Sequence, residues 1–583
     1  MNKSAHGLRQ RRAKPPVIKT PNFRLRAWVL LSFLGVFLLA VMSTAVYRQI
    51  WEGDFLQKEG GLRHLRLLEI PARRGMILDR NGEPLAVSAP VASVWANPQQ
   101  LLPRPQAIQA LAKVLELSPV ALKQRLEKHG KRAFLYLKRR VAPAQARKVA
   151  RIQQQYGIRE LGTKTEYRRF YPSGEIFGQI LGFTNVDDQG IEGLELAFDD
   201  RLRAEPGLRR VIQDGRHRII EEVERVRPPQ HGKDLVLSLD RRLQFLAYQE
   251  LMRAVRKYRA KSASAVVLDV ATGEVLAMVN QPAFNPNAKL GKARAAWRNR
   301  AVTDVMEPGS TVKPLVAALA LEQGVVSPRT PINTNPGILR VGRYRVRDIH
   351  NYGRLTTTSI LTKSSNVGIV KIALKMNRQS LWQFYDRLGF GHATGVEFPG
   401  EVRGRLRPFQ RWSNFEHATL AFGYGLSVTT LQLARAYSVL AADGILRPLS
   451  LLKRDQVPEG ERIIRTRTAR QVRLMLETVV SPKGTAKRAA ITGYRVAGKT
   501  GTAKKATAGG YAKHRYQAVF AGMVPAVHPR FVMVVMVDEP KGKYYGGLVA
   551  APVFSKVMAD ALRLYNVPPD ALKKTLLVAR REP

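Results

Sequence analysis

Between Ala27 and Tyr47, twenty-one consecutive residues carry no charge. As an α-helix such a stretch covers roughly 31 Å, the thickness of the hydrocarbon core of a bilayer. Trp28 and Tyr47 stand at its ends, where amphipathic rings favour the membrane interface. Residues 1–26 hold eight Lys or Arg and no acid, so the N-terminus is expected to stay in the cytoplasm while the rest is exported. Ser43-Thr44-Ala45 offers a small-x-small cleavage site. The apolar stretch nevertheless exceeds the roughly 7 to 15 residues of a signal peptide, which favours an uncleaved, single-pass anchor. No second apolar span of that length follows.

At 583 residues the chain exceeds one ordinary core, and two or three domains are expected. The balance of 96 Lys+Arg against 45 Asp+Glu, a net +51, suits an anionic neighbour. The basic residues are spread along the chain without zinc spacing or an aromatic RNA-binding pattern, so no nucleic-acid partner is expected. With no cysteine there is no thiol chemistry and no disulfide, and the ten His form no HExxH or paired-ligand pattern. Neither metal nor cofactor is expected.

From Arg48 to about Gly232, strand-like runs alternate with amphipathic helices. Asn81-Gly82 between apolar runs signals a hairpin, Pro105 to Lys128 reads as two helices broken near Ser118-Pro119, and Pro143 to Tyr156 as another. A second module begins near Asp234, with a helix at Arg241 to Tyr258 and strands at Ser264 to Val270 and Glu274 to Val279. A long α-rich stretch follows, then strands at Tyr494 to Lys504, Gln517 to Met523 and Phe531 to Asp538. Strands at both ends of a module with helices between them predict a mixed α/β fold whose terminal segments share one antiparallel sheet. The boundaries expected are a basic tail 1–26, an anchor 27–47, a pedestal module 48–232, a larger second module 233–565 and a basic tail 566–583.

Within the second module, Glu307-Pro308-Gly309-Ser310-Thr311-Val312-Lys313-Pro314 leads into the apolar run Leu315 to Leu321. The run predicts a helix whose first turn places the Lys313 amine beside the Ser310 hydroxyl. A serine hydroxyl is a poor nucleophile until a base takes its proton, and a lysine serves only when burial or neighbouring positive charge lowers its pKa. Ser-x-x-Lys also occurs at Ser450 and Lys453, where nothing else supports it. Only the first copy is followed in order by Lys363-Ser364-Ser365-Asn366 and by Gly498-Lys499-Thr500-Gly501-Thr502. Asp304 and Glu307 are expected to help cap the start of the helix. Tyr424, Gly425 and a basic, Gly-containing loop with Lys504, Lys505, Lys513, His514 and Arg515 are candidates to border a cleft.

Ser-x-x-Lys, then Ser-x-Asn, then Lys-Thr-Gly is the motif set of penicillin-binding proteins and class A β-lactamases. With Arg74-Gly75-Met76-Ile77-Leu78-Asp79-Arg80-Asn81-Gly82, the chain resembles the class B penicillin-binding proteins, membrane-anchored D,D-transpeptidases of peptidoglycan. Tyr171-Pro172-Ser173-Gly174 and the block Gly182 to Gly193 resemble the division-specific, FtsI or penicillin-binding protein 3 type. Arg298 to Asp304, Ala421 to Gly425 and Thr429 to Arg435 point the same way. The resemblance implies a pedestal followed by a serine β-lactamase-like transpeptidase domain, an antiparallel sheet flanked by helices. It implies an inner-membrane location with a periplasmic catalytic domain, action on stem peptides of septal peptidoglycan and on lipid-linked nascent strands, and β-lactam sensitivity.

The resemblance also assigns roles. Ser310 would form the acyl-enzyme, with Lys313 as its base, Ser364 passing a proton, Asn366 holding the substrate amide and Lys499 supplying positive charge. Thr500, Gly501 and Thr502 would line a strand edge that binds the stem peptide, and the backbone N–H groups of Ser310 and Thr502 would form the oxyanion hole. An FtsW-type membrane glycosyltransferase and other division proteins are the implied partners. An elongation-type transpeptidase or a D,D-carboxypeptidase would carry the same motifs, and the Gly182 to Gly193 block favours the division type. A scaffold without turnover is the reading from another class, and the intact set of motif residues stands against it.

Overall fold

The computed structural model describes residues 23–52, 65–213, 219–288, 294–507 and 510–571. Most of the expected basic tails, residues 1–22 and 572–583, lies outside them. The described residues fall into two units, one reaching to Ile70 and including Leu208–Pro228, the other formed by Pro71–Gly207 and the chain from Pro229 onward.

In the first unit, a helix spans Phe23–Val46 and runs into a π turn at Tyr47–Trp51. It is the one helix among the described residues long and apolar enough to cross a membrane, and none of its residues is buried in protein. It begins four residues before the expected Ala27, taking Arg24 and Arg26 into its first turns. Strands Leu65–Ile70, Gly207–Gln213 and Ile219–Arg227 form a separate three-stranded sheet in that order.

The second unit is built on a five-stranded antiparallel sheet. Its strands are β1 (Ser262–Asp269), β2 (Val275–Gln281), β3 (Ala497–Thr507), β4 (Gly510–Val524) and β5 (Phe531–Asp538), in the order β2-β1-β5-β4-β3. The first and last segments of the module therefore do share one sheet, as expected. Every residue of β1 and β5 is buried, which explains why both read as continuous apolar runs rather than alternating ones. The helix pair Arg241–Tyr258 and Ala551–Leu564 packs against the sheet, as does the pair Thr430–Ala441 and Thr466–Val480. Asp240 caps the first of these helices, accepting from the N–H of Arg242 at 2.9 Å.

The hairpin β3-β4 is longer than the expected strands. Pairing continues to Thr507 opposite Gly510, so the segment read as a basic loop after Lys504 is a projecting ladder. Its base is held by ion pairs: Lys505 Nζ lies 2.6 Å from Asp538 and 2.9 Å from Glu539, and Arg515 lies 2.6 Å from Glu539. Lys505 and Arg515 thus face the sheet rather than a substrate. The α-rich middle also contains a short hairpin, Ile338–Val341 with Tyr344–Arg347, that the sequence reading did not include.

A smaller lobe has its own core of Val94, Leu111, Leu126, Leu137 and Ile152. Strand Pro84–Ala96 pairs there with Leu135–Val141 and Leu161–Phe170, beneath helices Pro105–Leu115, Pro119–Lys128 and Pro143–Gln155. Each helix opens on proline, whose missing N–H costs nothing in a first turn. Ser118 caps the second helix, which separates it from the first where the sequence suggested. Ile77, Leu85, Phe177, Leu194 and Leu235 pack instead into the core of the large sheet. There Arg74 and Arg169, both buried, clasp the two oxygens of Glu195 at 2.7 and 2.6 Å. A buried pair is tolerated only when its other bonds are met, and Arg74 completes its set on Asp199 and on the carbonyls of Asp188 and Glu195.

Candidate active site

Ser310 lies in a 3-10 turn, Gly309–Val312, and the α-helix proper, Lys313–Glu322, starts at the lysine. The expected single α-helix is therefore entered through a tighter turn, in which residues three apart eclipse one another. From Lys313 to Leu321 every residue of the helix is buried, so it runs through the core and presents only its entry turn to the cleft. The turn is fixed from behind: Gly309 N–H donates to the Gly423 carbonyl at 3.1 Å, and the Tyr437 hydroxyl to the Thr311 carbonyl at 2.7 Å. A Cβ on Gly423 would lie 2.1 Å from the Gly309 carbonyl oxygen, so only glycine permits this approach.

Neither Asp304 nor Glu307 caps the turn. Asp304 pairs with Arg298 and Arg300, and Glu307 Oε1 accepts from the Gly425 N–H at 2.9 Å and from the Tyr511 hydroxyl at 3.0 Å. Burial pushes the Glu307 carboxyl up, against the opposing effect of these two bonds. The carboxylate therefore ties the Gly423 to Gly425 loop to the tip of the β3-β4 hairpin.

Lys363-Ser364-Ser365-Asn366 joins helix Thr357–Lys363 to helix Asn366–Ala373. Ser364 occupies the junction at φ +60°, a left-handed conformation that costs a non-glycine residue on the order of 1 kcal/mol. The junction aims both its carbonyl and its hydroxyl at the two lysines. Lys313 Nζ donates to the Ser364 carbonyl at 2.6 Å and to Asn366 Oδ1 at 2.7 Å, and lies 3.3 Å from Ser364 Oγ. Lys499 Nζ donates to the same Ser364 Oγ at 2.9 Å. Ser310 Oγ makes no hydrogen bond among the described residues.

Both lysines are fully buried. Burial drives the Lys313 amine well below its ordinary value, the nearby Lys499 charge drives it further, and Asp348 opposes both. Burial alone brings Lys499 down to about 7. The sequence reading named burial and neighbouring positive charge, the latter from Lys499; the structure ranks burial first and Lys499 second.

Lys499-Thr500-Gly501-Thr502 lies on β3, the outer strand of the sheet and paired on one side only, with β4. Gly501 is packed against the serine turn: a Cβ there would meet the Pro308 carbonyl oxygen at 2.8 Å and Thr311 Cγ2 at 2.9 Å. Thr500 Oγ1 shares a hydrogen bond with Thr485 at 2.9 Å, and Thr502 Oγ1 accepts from the Gly546 N–H at 3.1 Å. These residues open on a cleft of about 530 Å³ that also holds Ser310, Ser364 and Asn366. Tyr424 and Lys504 reach its wall, while Gly425, Lys505, Lys513, His514 and Arg515 do not line it. No carboxylate of the described residues lines it.

Two contributors escaped sequence reasoning. Asp348 accepts from the Ser365 hydroxyl at 2.6 Å and from the N–H groups of Asn366 and Val367 at 2.5 and 3.0 Å, bracing the Ser-x-Asn junction at a helix N-terminus. Tyr516, Tyr544 and Tyr545 form an aromatic wall, the first two stacked with ring centroids 4.1 Å apart. The second Ser-x-x-Lys is not helical: Ser450 pairs as an isolated bridge with Glu274, and its hydroxyl donates to the Leu452 carbonyl. Among the described residues no cluster of His, Asp and Glu could hold a metal ion.

Residues 263–559 match the family model of the penicillin-binding protein transpeptidase domain, and residues 69–237 that of the penicillin-binding protein dimerisation domain. The chain is 44% identical over 555 residues to the peptidoglycan D,D-transpeptidase FtsI of Escherichia coli K12, covering 94% of this chain and 93% of that one. It is 40% identical over 567 residues to the probable peptidoglycan D,D-transpeptidase PenA of Neisseria gonorrhoeae, covering 96% of each. Among solved structures, the transpeptidase domain of Burkholderia pseudomallei penicillin-binding protein 3 superposes with a TM-score of 0.54 at 45% identity, over 58% of this chain and 98% of that one. A peptidoglycan synthetase of Bifidobacterium adolescentis superposes over 87% of this chain and 98% of its own with a TM-score of 0.69 at 27% identity. Fold, motif geometry and full-length similarity agree: the chain belongs to the penicillin-binding protein transpeptidase family, among its FtsI-type peptidoglycan D,D-transpeptidases.

Proposed function

We propose that the protein cross-links stem peptides of septal peptidoglycan by a two-step acyl transfer through Ser310 and that β-lactams acylate the same hydroxyl. The observation that carries the mechanism is the placement of Ser364 Oγ within hydrogen-bond reach of both buried lysines. A neutral Lys313 amine has two N–H donors and one lone pair. The donors are matched by the Ser364 carbonyl and Asn366 Oδ1, and the lone pair is left to take the Ser310 proton. Lys499, charged, donates to Ser364 Oγ from the other side. Lys313, held down by burial and by the Lys499 charge, directly follows the turn that carries Ser310 and so serves as the base.

In the first step Lys313 takes the Ser310 proton as Oγ attacks the carbonyl of the penultimate D-Ala. The peptide bond breaks, the proton passes through Ser364 Oγ to the departing amine, and terminal D-Ala leaves an ester on Ser310. In the second step an amine of a neighbouring stem attacks that ester, and its surplus proton returns along the same path to regenerate Ser310. The backbone N–H groups of Ser310 and Thr502 stabilise the oxyanion, a contribution of about 3 kcal/mol per donor. The edge of β3 takes the stem peptide as an added strand, with Thr500, Thr502 and Lys499 on its terminal carboxylate and Asn366 on its amide. Lys363 and Lys504 on the cleft wall, with no acid among its described residues, suit a ligand that carries carboxylates.

The helix Phe23–Val46 anchors the protein in the inner membrane with its N-terminus in the cytoplasm, on the argument of the basic residues that precede it. A transpeptidase without polymerase activity needs nascent strands delivered beside it, and an FtsW-type glycosyltransferase with other division proteins fills that need. The test of the function is incubation of the full-length, detergent-solubilised protein with a D-Ala-D-Ala stem peptide and an amine acceptor. Stoichiometric release of D-Ala with formation of the cross-linked product supports the reading. D-Ala release without cross-linking points to a carboxypeptidase, and neither product points to a scaffold.

A further inference from the structure

One face of the small lobe carries a dense local excess of positive charge. From Pro105 to Gln155 twelve Lys or Arg stand against two acids, Glu116 and Glu127. The lobe's three helices bury Ile108, Leu111, Leu122, Leu126, Val149 and Ile152 and turn their other sides to solvent. Helix Pro105–Leu115 lies between the other two, so the exposed sides form one layer. On it stand Lys113, Lys123, Arg125, Lys128, Arg147, Lys148 and Arg151, all exposed. Lys123 is paired, loosely, with Glu127 at 3.8 Å, and Arg125 donates to the Leu137 carbonyl. Lys113, Lys128, Arg147, Lys148 and Arg151 make no ion pair among the described residues.

Packing does not require this arrangement. Helix Pro143–Gln155 carries three cations and no acid within five residues, so Arg147 and Arg151 repel one another where an i, i+4 ion pair could have stood. Apart from the cations and Glu127, the exposed residues of the three helices are Gln, Ala, Pro and Val120, with no aromatic side chain. A glycan strand or a peptide is held by stacking rings or convergent polar groups in a groove. An even field of flexible cations reads charge density alone, as juxtamembrane basic surfaces do with anionic lipid head groups.

We infer that the outer face of helices Pro105–Leu115, Pro119–Lys128 and Pro143–Gln155 binds the surface of an anionic phospholipid membrane. Binding is electrostatic, without a defined lipid stoichiometry, and falls steeply with salt because the screening length shrinks from roughly 10 Å at 0.1 M to 3 Å at 1 M.

The test places the full-length protein in nanodiscs of zwitterionic phosphatidylcholine, so that its own anchor is occupied, and measures co-flotation with added vesicles. One set of vesicles is phosphatidylcholine alone, the other is an equal mixture with phosphatidylglycerol, and sacculi of purified peptidoglycan form a third arm. A first variant reverses Lys128→Glu, Arg147→Glu, Lys148→Glu and Arg151→Glu. A second reverses the same number of exposed cations on the catalytic domain, Arg411→Glu, Arg467→Glu, Lys487→Glu and Arg488→Glu. Labelling by a fluorescent penicillin checks that each remains folded. The inference predicts salt-sensitive recruitment to phosphatidylglycerol vesicles only, weakened at least about a hundredfold by the first variant and little by the second. Equal loss in both variants would reduce the effect to net charge and overturn it. Recruitment to both vesicle types, to neither, or to sacculi alone would overturn it as well, the last in favour of a wall polymer.

Discussion

Lys313 and Lys499, the two fully buried lysines of the cleft, converge on one atom: Ser364 Oγ lies 3.3 Å from the first Nζ and 2.9 Å from the second. Two ammonium groups this close cannot both stay charged out of water, so one site holds the proton and the other the lone pair. The consequences reach stability as well as rate.

The first consequence concerns stability against pH. Lys499 titrates at about 7 in the folded protein and at about 10.4 in an unfolded chain. Below pH 7 both states hold the proton and the full cost of burying the charge persists. Between roughly pH 7 and 10 the unfolded chain binds more protons, so this site's contribution to stability rises by about 1.4 kcal/mol per pH unit, and above that window it levels off. Lys499→Met removes the titration. Denaturant unfolding at pH 7 and pH 9 should therefore show wild type gaining on the variant as pH rises, and parallel behaviour would contradict the assignment.

The acylation rate should respond to the two neighbours of Lys313 in opposite directions. Lys499→Met removes a positive charge, raises the Lys313 pKa and moves the acid limb of the rate profile to higher pH. Asp348→Asn removes a negative charge and moves it lower, while weakening the brace on Ser365 and Asn366 by on the order of 1 kcal/mol. Stopped-flow acylation by a chromogenic β-lactam across pH reads both limbs. Shifts of the same sign would show that electrostatics at Lys313 does not govern the rate.

Gly501→Ala tests the contact between the outer strand and the serine turn. The added Cβ meets a backbone oxygen at 2.8 Å, so β3 must move away from Ser310. Displacement of that order should slow acylation about a hundredfold while the thermal midpoint changes little. Unchanged acylation would mean that the strand position is not critical.

Near the tip of the β3-β4 hairpin, the Tyr511 hydroxyl donates to Glu307 while its ring meets Tyr424 edge-on. Tyr511→Phe removes about 1 kcal/mol of net stabilisation from a surface ladder. Limited proteolysis should nick the variant faster near residue 510 with the core intact, and equal rates would show that the bond holds nothing.

The elements that sequence resolved are those that bury apolar surface in a simple period. Helix Arg241–Tyr258 and strand Phe531–Asp538 fall where the pattern placed them, because one has a clean apolar side and the other is buried on both faces. The far half of the β3-β4 hairpin, from Gly510 to Tyr516, has no such pattern; its pairing rests on the backbone ladder and on ion pairs with Glu539. Motif order singled out Ser310, Lys313, Ser364, Asn366 and Lys499; in the structure Ser310, Ser364 and Asn366 line the cleft, and the buried Lys313 and Lys499 bond to the Ser364 junction behind it. Asp348 left no trace, because a single carboxylate in an arginine-rich turn gains its meaning from a junction seventeen residues away. Glu307 was misread for the same reason: its partners, Gly425 and Tyr511, are distant in sequence.

The most direct measurement of the central claim is the intact mass of the full-length protein after incubation with a β-lactam, beside Ser310→Ala. One stable adduct on wild type, absent from a folded Ser310→Ala protein, is the predicted result. No adduct on folded wild type, or an adduct that survives the substitution, would contradict acyl transfer through Ser310.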